Sequence, residues 1–204
     1  MSETPTTTPT PPPAPLSGGI ADPAPLGLAG FAMTTFLLSF ANANLISEKG
    51  GGAIILGLAL FYGGLAQLLA GMWEYRRGNT FGATAFASFG AFWLSFWAIE
   101  HFSTGADAHK TLGLYLFAWF IFTAYMTVAA LRTNGAVLVV FVLLTITFLL
   151  LAIGEWQNAS SPPAFFTRLG GWVGIATALA AWYASFASVV NETHKRQWFP
   201  TWPR

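Results

Sequence analysis

The residues that could do chemistry in this chain are hydroxyls and amides set inside apolar runs. They are Thr34, Thr35, Ser39, Asn42, Asn44, Gln67, Thr84, Ser88, Thr123, Thr127, Thr145, Thr147 and Thr177. Phe31, Thr34, Thr35, Leu38 and Asn42 recur at i, i+3, i+4, i+7 and i+11, the spacing of one helix face. A hydroxyl in such a run can satisfy itself on the carbonyl four residues back. An amide cannot serve all its donors and acceptors that way. Asn42 and Gln67 must therefore meet another helix or a water-filled path.

The chemistry that is missing is equally informative. The middles of the runs hold no Asp, Glu, Lys, Arg or His, and Glu74, Glu100, His101 and Glu155 fall near their ends. Ion-coupled carriers usually keep ionisable groups at mid-depth. Hydrolysis inside a membrane needs a nucleophile with its base, or a metal. The three histidines, His101, His109 and His194, lie at run ends or in connections, and there is no cysteine. No catalytic residue, metal site or cofactor is expected, and an enzyme is not. A path of hydroxyls, amides and aromatics without fixed charge suits a small, weakly polar solute. A small carboxylate would pass only where dipoles or hydrogen-bond donors replaced its lost water.

The elements that must position these groups follow from composition. The chain has 204 residues, 54% hydrophobic and 8% charged, against about 25% charged in soluble domains. It reads as an all-α integral membrane protein in contact with the lipid bilayer. A helix needs about 20 apolar residues to cross a hydrocarbon core of about 30 Å. Six stretches qualify: 24–46, 53–73, 81–101, 112–131, 135–155 and 169–190. Gly50 to Gly52, Arg76 to Asn79, Thr104-Gly105, Arg132 to Gly135 and Ser161-Pro162-Pro163 punctuate them. The Thr/Pro-rich head to residue 21 reads as a disordered tail, residues 22–192 as the transmembrane domain and 193–204 as a short tail.

Six crossings place both termini on one side. That side holds Arg76, Arg77, Arg132, Lys195, Arg196 and Arg204, and the other holds Lys49, Lys110 and Arg168. The positive-inside rule makes both termini cytoplasmic. A net charge of +1 offers nucleic acid no attraction. Small residues line several spans, as in Gly170, Gly174 and Ala178 or Ala83, Ala87 and Ala91. Such faces let helices approach closely, within a protomer or in a homo-oligomer. Trp73, Trp119, Trp156, Trp172 and Trp198 read as interfacial anchors.

The first span opens on "DPAPLGLAGF", residues 22–31. Asp22 suits an N-cap, and Pro23 suits the first helical position, where its missing N–H costs nothing. Pro25 in the first turn leaves Ala24 as the donor to the Asp22 carboxylate, and Gly27 and Gly30 admit a neighbouring helix. An ionised Asp22 would repel an anion at this end of the helix, whose dipole otherwise favours one.

The same stretch, Asp22-Pro23-Ala24-Pro25-Leu26-Gly27 and onward to Thr35, resembles the signature of the acetate uptake transporter family. "FYGGLAQLLAGMWEYRRGNTFGATAFASFGAFW" at 61–93, "LLAIG" at 150–154, "GW" at 171–172 and "NE" at 191–192 agree with it in order. The resemblance implies a six-helix protomer assembled as a hexamer in the plasma membrane. It implies a narrow path through each subunit for acetate and related short carboxylates, succinate among them, with proton-linked uptake. It also implies a hydrophobic constriction at Phe31, Phe89 and Leu144. Asn42, Gln67 and Ala181 would line the path beside it, and Thr34, Thr35, Ser88 and Thr145 are further candidates for its lining. Two positions depart from the pattern: Phe89 stands where the family has Tyr, and Asp22 where it has Asn. A constriction without that hydroxyl is drier, unless Ser88 or Thr145 supplies a donor.

Two other functions fit the same fold, a membrane sensor that does not transport and a channel for another small solute such as ammonium. Among smaller signals, Gly50 to Gly52 reads as a turn and "EYRRGN" at 74–79 as an interfacial turn with a Glu–Arg pair. Asn158-Ala159-Ser160 matches a glycosylation acceptor.

Overall fold

The computed structural model describes residues 19–102, 108–157 and 164–203. The Thr/Pro-rich head, the Thr104-Gly105 and Ser161 to Pro163 punctuation and the Asn158 acceptor lie outside the described residues, apart from residues 19–21 of that head. Among the described residues, six helices are long and apolar enough to span a membrane.

They are α1 (Ala24–Asn42), a second span in three parts, α4 (Thr80–Phe102), α5 (Ala108–Ala130), α6 (Gly135–Trp156) and α7 (Phe165–Thr193). The second span runs through α2 (Glu48–Leu60), a π-helical stretch (Phe61–Ala66) and α3 (Gln67–Arg77). The glycines expected as a turn thus lie inside α2. The last span is longer at both ends than its apolar core. The first ends earlier, because Asn44 takes a left-handed φ of 61° and the Leu45 N–H reaches back to the Phe40 carbonyl at 2.9 Å. That closes α1 with a left-handed residue just past its end, and Asn44 is exposed rather than in the span.

Packing order makes a ring: α5 on α6, α6 on α7, α7 on α1, α1 on the second span, and the second span on α4. The ring closes through side chains, where Phe89 and Phe92 of α4 meet Tyr115, Trp119 and Phe122 of α5. Trp119 is therefore an interior residue. Trp73, Trp156, Trp172 and Trp198 are about half exposed.

Small residues set the crossings inside the protomer. A Cβ on Gly63 would stand 2.6 Å from Thr34 Oγ1 and 2.9 Å from Trp93, and one on Gly90 would stand 2.6 Å from the Leu68 nitrogen. The π-helical stretch turns Gly63 and Gly64 inward, where both are buried. π-bulges of this kind are frequent at functional sites.

The C-terminal tail folds back. Gly135 N–H donates to the Trp202 carbonyl at 2.8 Å and Ala136 N–H to the Thr201 carbonyl at 3.3 Å. The Asn191 amide accepts from the Trp198 and Phe199 N–H groups and donates to the Phe199 carbonyl. Tyr183 donates to the Pro200 carbonyl. Residues 198–203 thus strap the start of α6.

Candidate functional site

Two cavities enter the ring from opposite ends. The proximal one, at the end of the ring where α1 starts, has about 380 Å³ and is lined by Asp22, Ala24, Leu28, Glu74, Arg77, Asn79, Phe86, Asn134, Phe141 and Ser188. The distal one has about 270 Å³ and is lined by Leu38, Asn42, Phe92, Phe96, Glu100, Leu151, Glu155 and Thr167. On α1 the proximal lining ends at Leu28 and the distal begins at Leu38. On α4 the two meet between Phe86 and Phe92, and on α6 between Phe141 and Leu151.

Phe31, Phe89 and Leu144 lie in those three gaps. They are 4%, 3% and 3% exposed, and all belong to one apolar core. The Phe31 and Phe89 ring centroids are 5.9 Å apart. Phe89 also faces Trp119, Phe122, Phe141 and Phe148 at 5.4–6.4 Å. A dry aromatic layer thus separates the cavities.

The remaining residues divide. Asn42 lines the distal cavity. Thr34, Thr35 and Gln67 are buried at intermediate depth on the spans beside the layer. The Thr34 hydroxyl donates to the Gly30 carbonyl at 2.9 Å, as a self-satisfied helical Thr does. Thr35 Oγ1 and Gln67 Oε1 have no hydrogen-bond partner in the protein, nor does Trp93 Nε1. Buried polar atoms are normally paired, so orphans at this depth point to water or solute. The Trp93 orphan was not legible in the sequence, where Trp93 sits between Phe92 and Leu94. Ser88 is half buried and Ala181 fully buried, and neither lines a cavity. The Thr145 hydroxyl donates to the Phe141 carbonyl and meets Thr127, both at 2.8 Å. It ties α5 to α6 and has no donor left for the layer.

At the proximal mouth α1 begins one residue later than expected. Pro23 takes the capping position, while the Ala24 N–H still donates to Asp22 Oδ1 at 3.0 Å. Pro25 offers its carbonyl to Ser185 at 2.7 Å. Gly27 lies under Phe86, and Leu26, at 45% exposure, points outward. The Glu–Arg pair expected within residues 74–79 is not the contact that forms. Arg77 donates to Asp22 at 2.5 Å, and Glu74 accepts from Asn79 at 2.9 Å. At the distal mouth Glu155 pairs with His109 at 2.7 Å. No cluster of three metal-ligating side chains occurs among the described residues.

Cavities that approach each other from opposite faces of a membrane-spanning ring define a class, the multi-pass membrane protein of transporter or channel type. The chain belongs to the GPR1/FUN34/yaaH family, whose model matches residues 5–203. It is similar to the succinate-acetate/proton symporter SatP of Escherichia coli K12, with 42% identity over 89% of this chain and 95% of the relative. It is also similar to ammonia transport outward protein 2 of Saccharomyces cerevisiae, with 41% identity over 84% of this chain. This chain spans 62% of that relative's length. The solved structure of the bacterial acetate channel SatP superposes with a TM-score of 0.81 at 41% identity, over 89% of this chain and 99% of the other.

Proposed function

We propose that this protein carries acetate and related short carboxylates, succinate among them, across the plasma membrane, and that it is not an enzyme. Both termini are cytoplasmic, so the proximal cavity faces the cell interior. The observation that carries this reading is the dry layer between two polar-mouthed cavities, with Phe31, Phe89 and Leu144 as its gate. A carboxylate in an apolar layer loses its water at high cost. The neutral acid loses far less. With no ionisable group at that depth, a proton that crosses rides on the solute, and this makes uptake proton-linked. Gln67, Thr35 and Trp93 supply hydrogen bonds beside the layer in place of water. Each protomer of a hexamer holds its own path.

A channel for ammonium is the second reading, favoured by the name of the yeast relative and by the distal carboxylates Glu100 and Glu155. Proteoliposomes loaded with the purified protein separate the two. Labelled acetate uptake should be competed by propionate and succinate and left intact by ammonium. Absence of acetate flux at both acidic and neutral pH overturns the carboxylate reading.

A further inference from the structure

The proximal cavity holds a carboxyl group that the gate does not use. Glu74 lies in the last turn of α3 and is fully buried, yet it lines the cavity. Its Oε2 is committed to the fold. It accepts from Asn79 Nδ2 at 2.9 Å, while Asn79 Oδ1 accepts from the Gly82 N–H at 3.1 Å at the start of α4. Its Oε1 is buried without any hydrogen-bond partner. The charged groups that act on Glu74 are Asp22, ahead of α1, and Arg77, on its own helix. Those two are joined to each other at 2.5 Å, so Arg77 spends that contact on Asp22. From α6 the cavity receives only uncharged groups, Asn134 among them. Oε1 thus keeps lone pairs that no protein donor occupies, and a proton taken there leaves the bond at Oε2 in place.

We propose that Glu74 is the proton acceptor on the exit side of the path. This rests on the carboxylate-transport reading above. The acid crosses the Phe31–Phe89–Leu144 layer neutral and enters the proximal cavity. There its O–H bond breaks and a new O–H bond forms on Oε1 of the ionised Glu74. The solute leaves as an anion, and Glu74, now neutral, passes the proton to cavity water. One carboxyl gives a proton to another, so the step leaves the net charge of the cavity unchanged.

The test is acetate uptake by proteoliposomes over a series of internal pH values, with a lumenal dye reporting proton arrival. Glu74→Gln keeps an acceptor for Asn79 but cannot take a proton. It should lose about tenfold or more of the uptake at neutral internal pH and flatten the pH profile. Glu74→Asp should restore part of both. Asn79→Ala breaks the structural bond and leaves the carboxyl, so its pH profile should keep the wild-type shape at whatever stability remains. A wild-type rate and profile in Glu74→Gln overturns the proposal. So does an Asn79→Ala profile as flat as that of Glu74→Gln, which would make Glu74 a structural anchor. Should Glu74→Gln fail to fold, Glu74→Asp decides: a displaced midpoint supports the proposal and an unmoved one overturns it. Wild-type protein without acetate flux removes the transport reading and this one together. Wild-type flux beside an unaltered Glu74→Gln removes this one alone.

Discussion

Arg77 reaches across 55 positions of sequence to donate to Asp22 at 2.5 Å, and the same Asp22 oxygen accepts from the Ala24 N–H. The charge that opens α1 is thus paired with the end of the second span. It stands at the mouth as half of an ion pair rather than as an unmatched anion facing the solute.

That pairing predicts a small effect for Asp22→Asn. The side chains of Arg77 and Asp22 are 36% and 40% exposed, and exposed pairs contribute about 0–1 kcal/mol. Asn also keeps an acceptor for Ala24. Melting in detergent should move little; a large fall would show that the pair ties the first two spans together more strongly than its exposure implies. Arg77→Gln should act more strongly, because it leaves Asp22 and Glu74 in one cavity without a cation. Anion release should slow.

Phe89→Tyr tests the gate. Five aromatic rings surround Phe89, and Thr145 is already engaged. An unmatched buried hydroxyl costs about 1–3 kcal/mol, so the variant should be less stable unless water enters with it. If water enters, acetate permeability rises. Melting and labelled uptake measured together separate these outcomes, and no change in flux or selectivity would show that position 89 does not gate.

Gly63→Ala probes the crossing beside the gate. Its Cβ would be forced against Thr34 and Trp93, both fully or nearly fully buried. Overpacking of this kind costs about 1–3 kcal/mol. Thermal stability should fall by that amount while membrane insertion is retained. An unchanged melting temperature would mean that the π-helical stretch can shift to make room.

Deleting residues 198–204 tests the C-terminal strap. The deletion removes the acceptors of the Gly135 and Ala136 N–H groups and the partners of Asn191 and Tyr183. Several lost bonds at about 1 kcal/mol each should loosen the start of α6. Limited proteolysis near Thr133 and a lower melting temperature are the expected readouts.

Much of the fold was legible without coordinates. Hydrocarbon thickness sets span length, so apolar run length alone located the six helices. The faces were legible too. Phe31, Thr34 and Thr35 share a buried side of α1 because the helical period puts them there. Asn44 was misplaced because a left-handed end depends on one backbone angle. Trp119 is no interfacial anchor because it falls at the middle of α5 rather than at an end, where rings of α4 and α6 surround it.

Sequence by itself determined what could not be there: no charge at mid-depth, no thiol, and no room for a soluble domain between spans. Those are properties of residue type and order, and no folding changes them. Tertiary structure alone decided the partners. The Glu74–Asn79 bond took the place of a Glu–Arg pair, Arg77 went to Asp22 and Thr145 went to Thr127, and the tail returned to cap α6. Each choice is a contest between groups of similar chemistry at different distances, and distance exists only once the helices have packed.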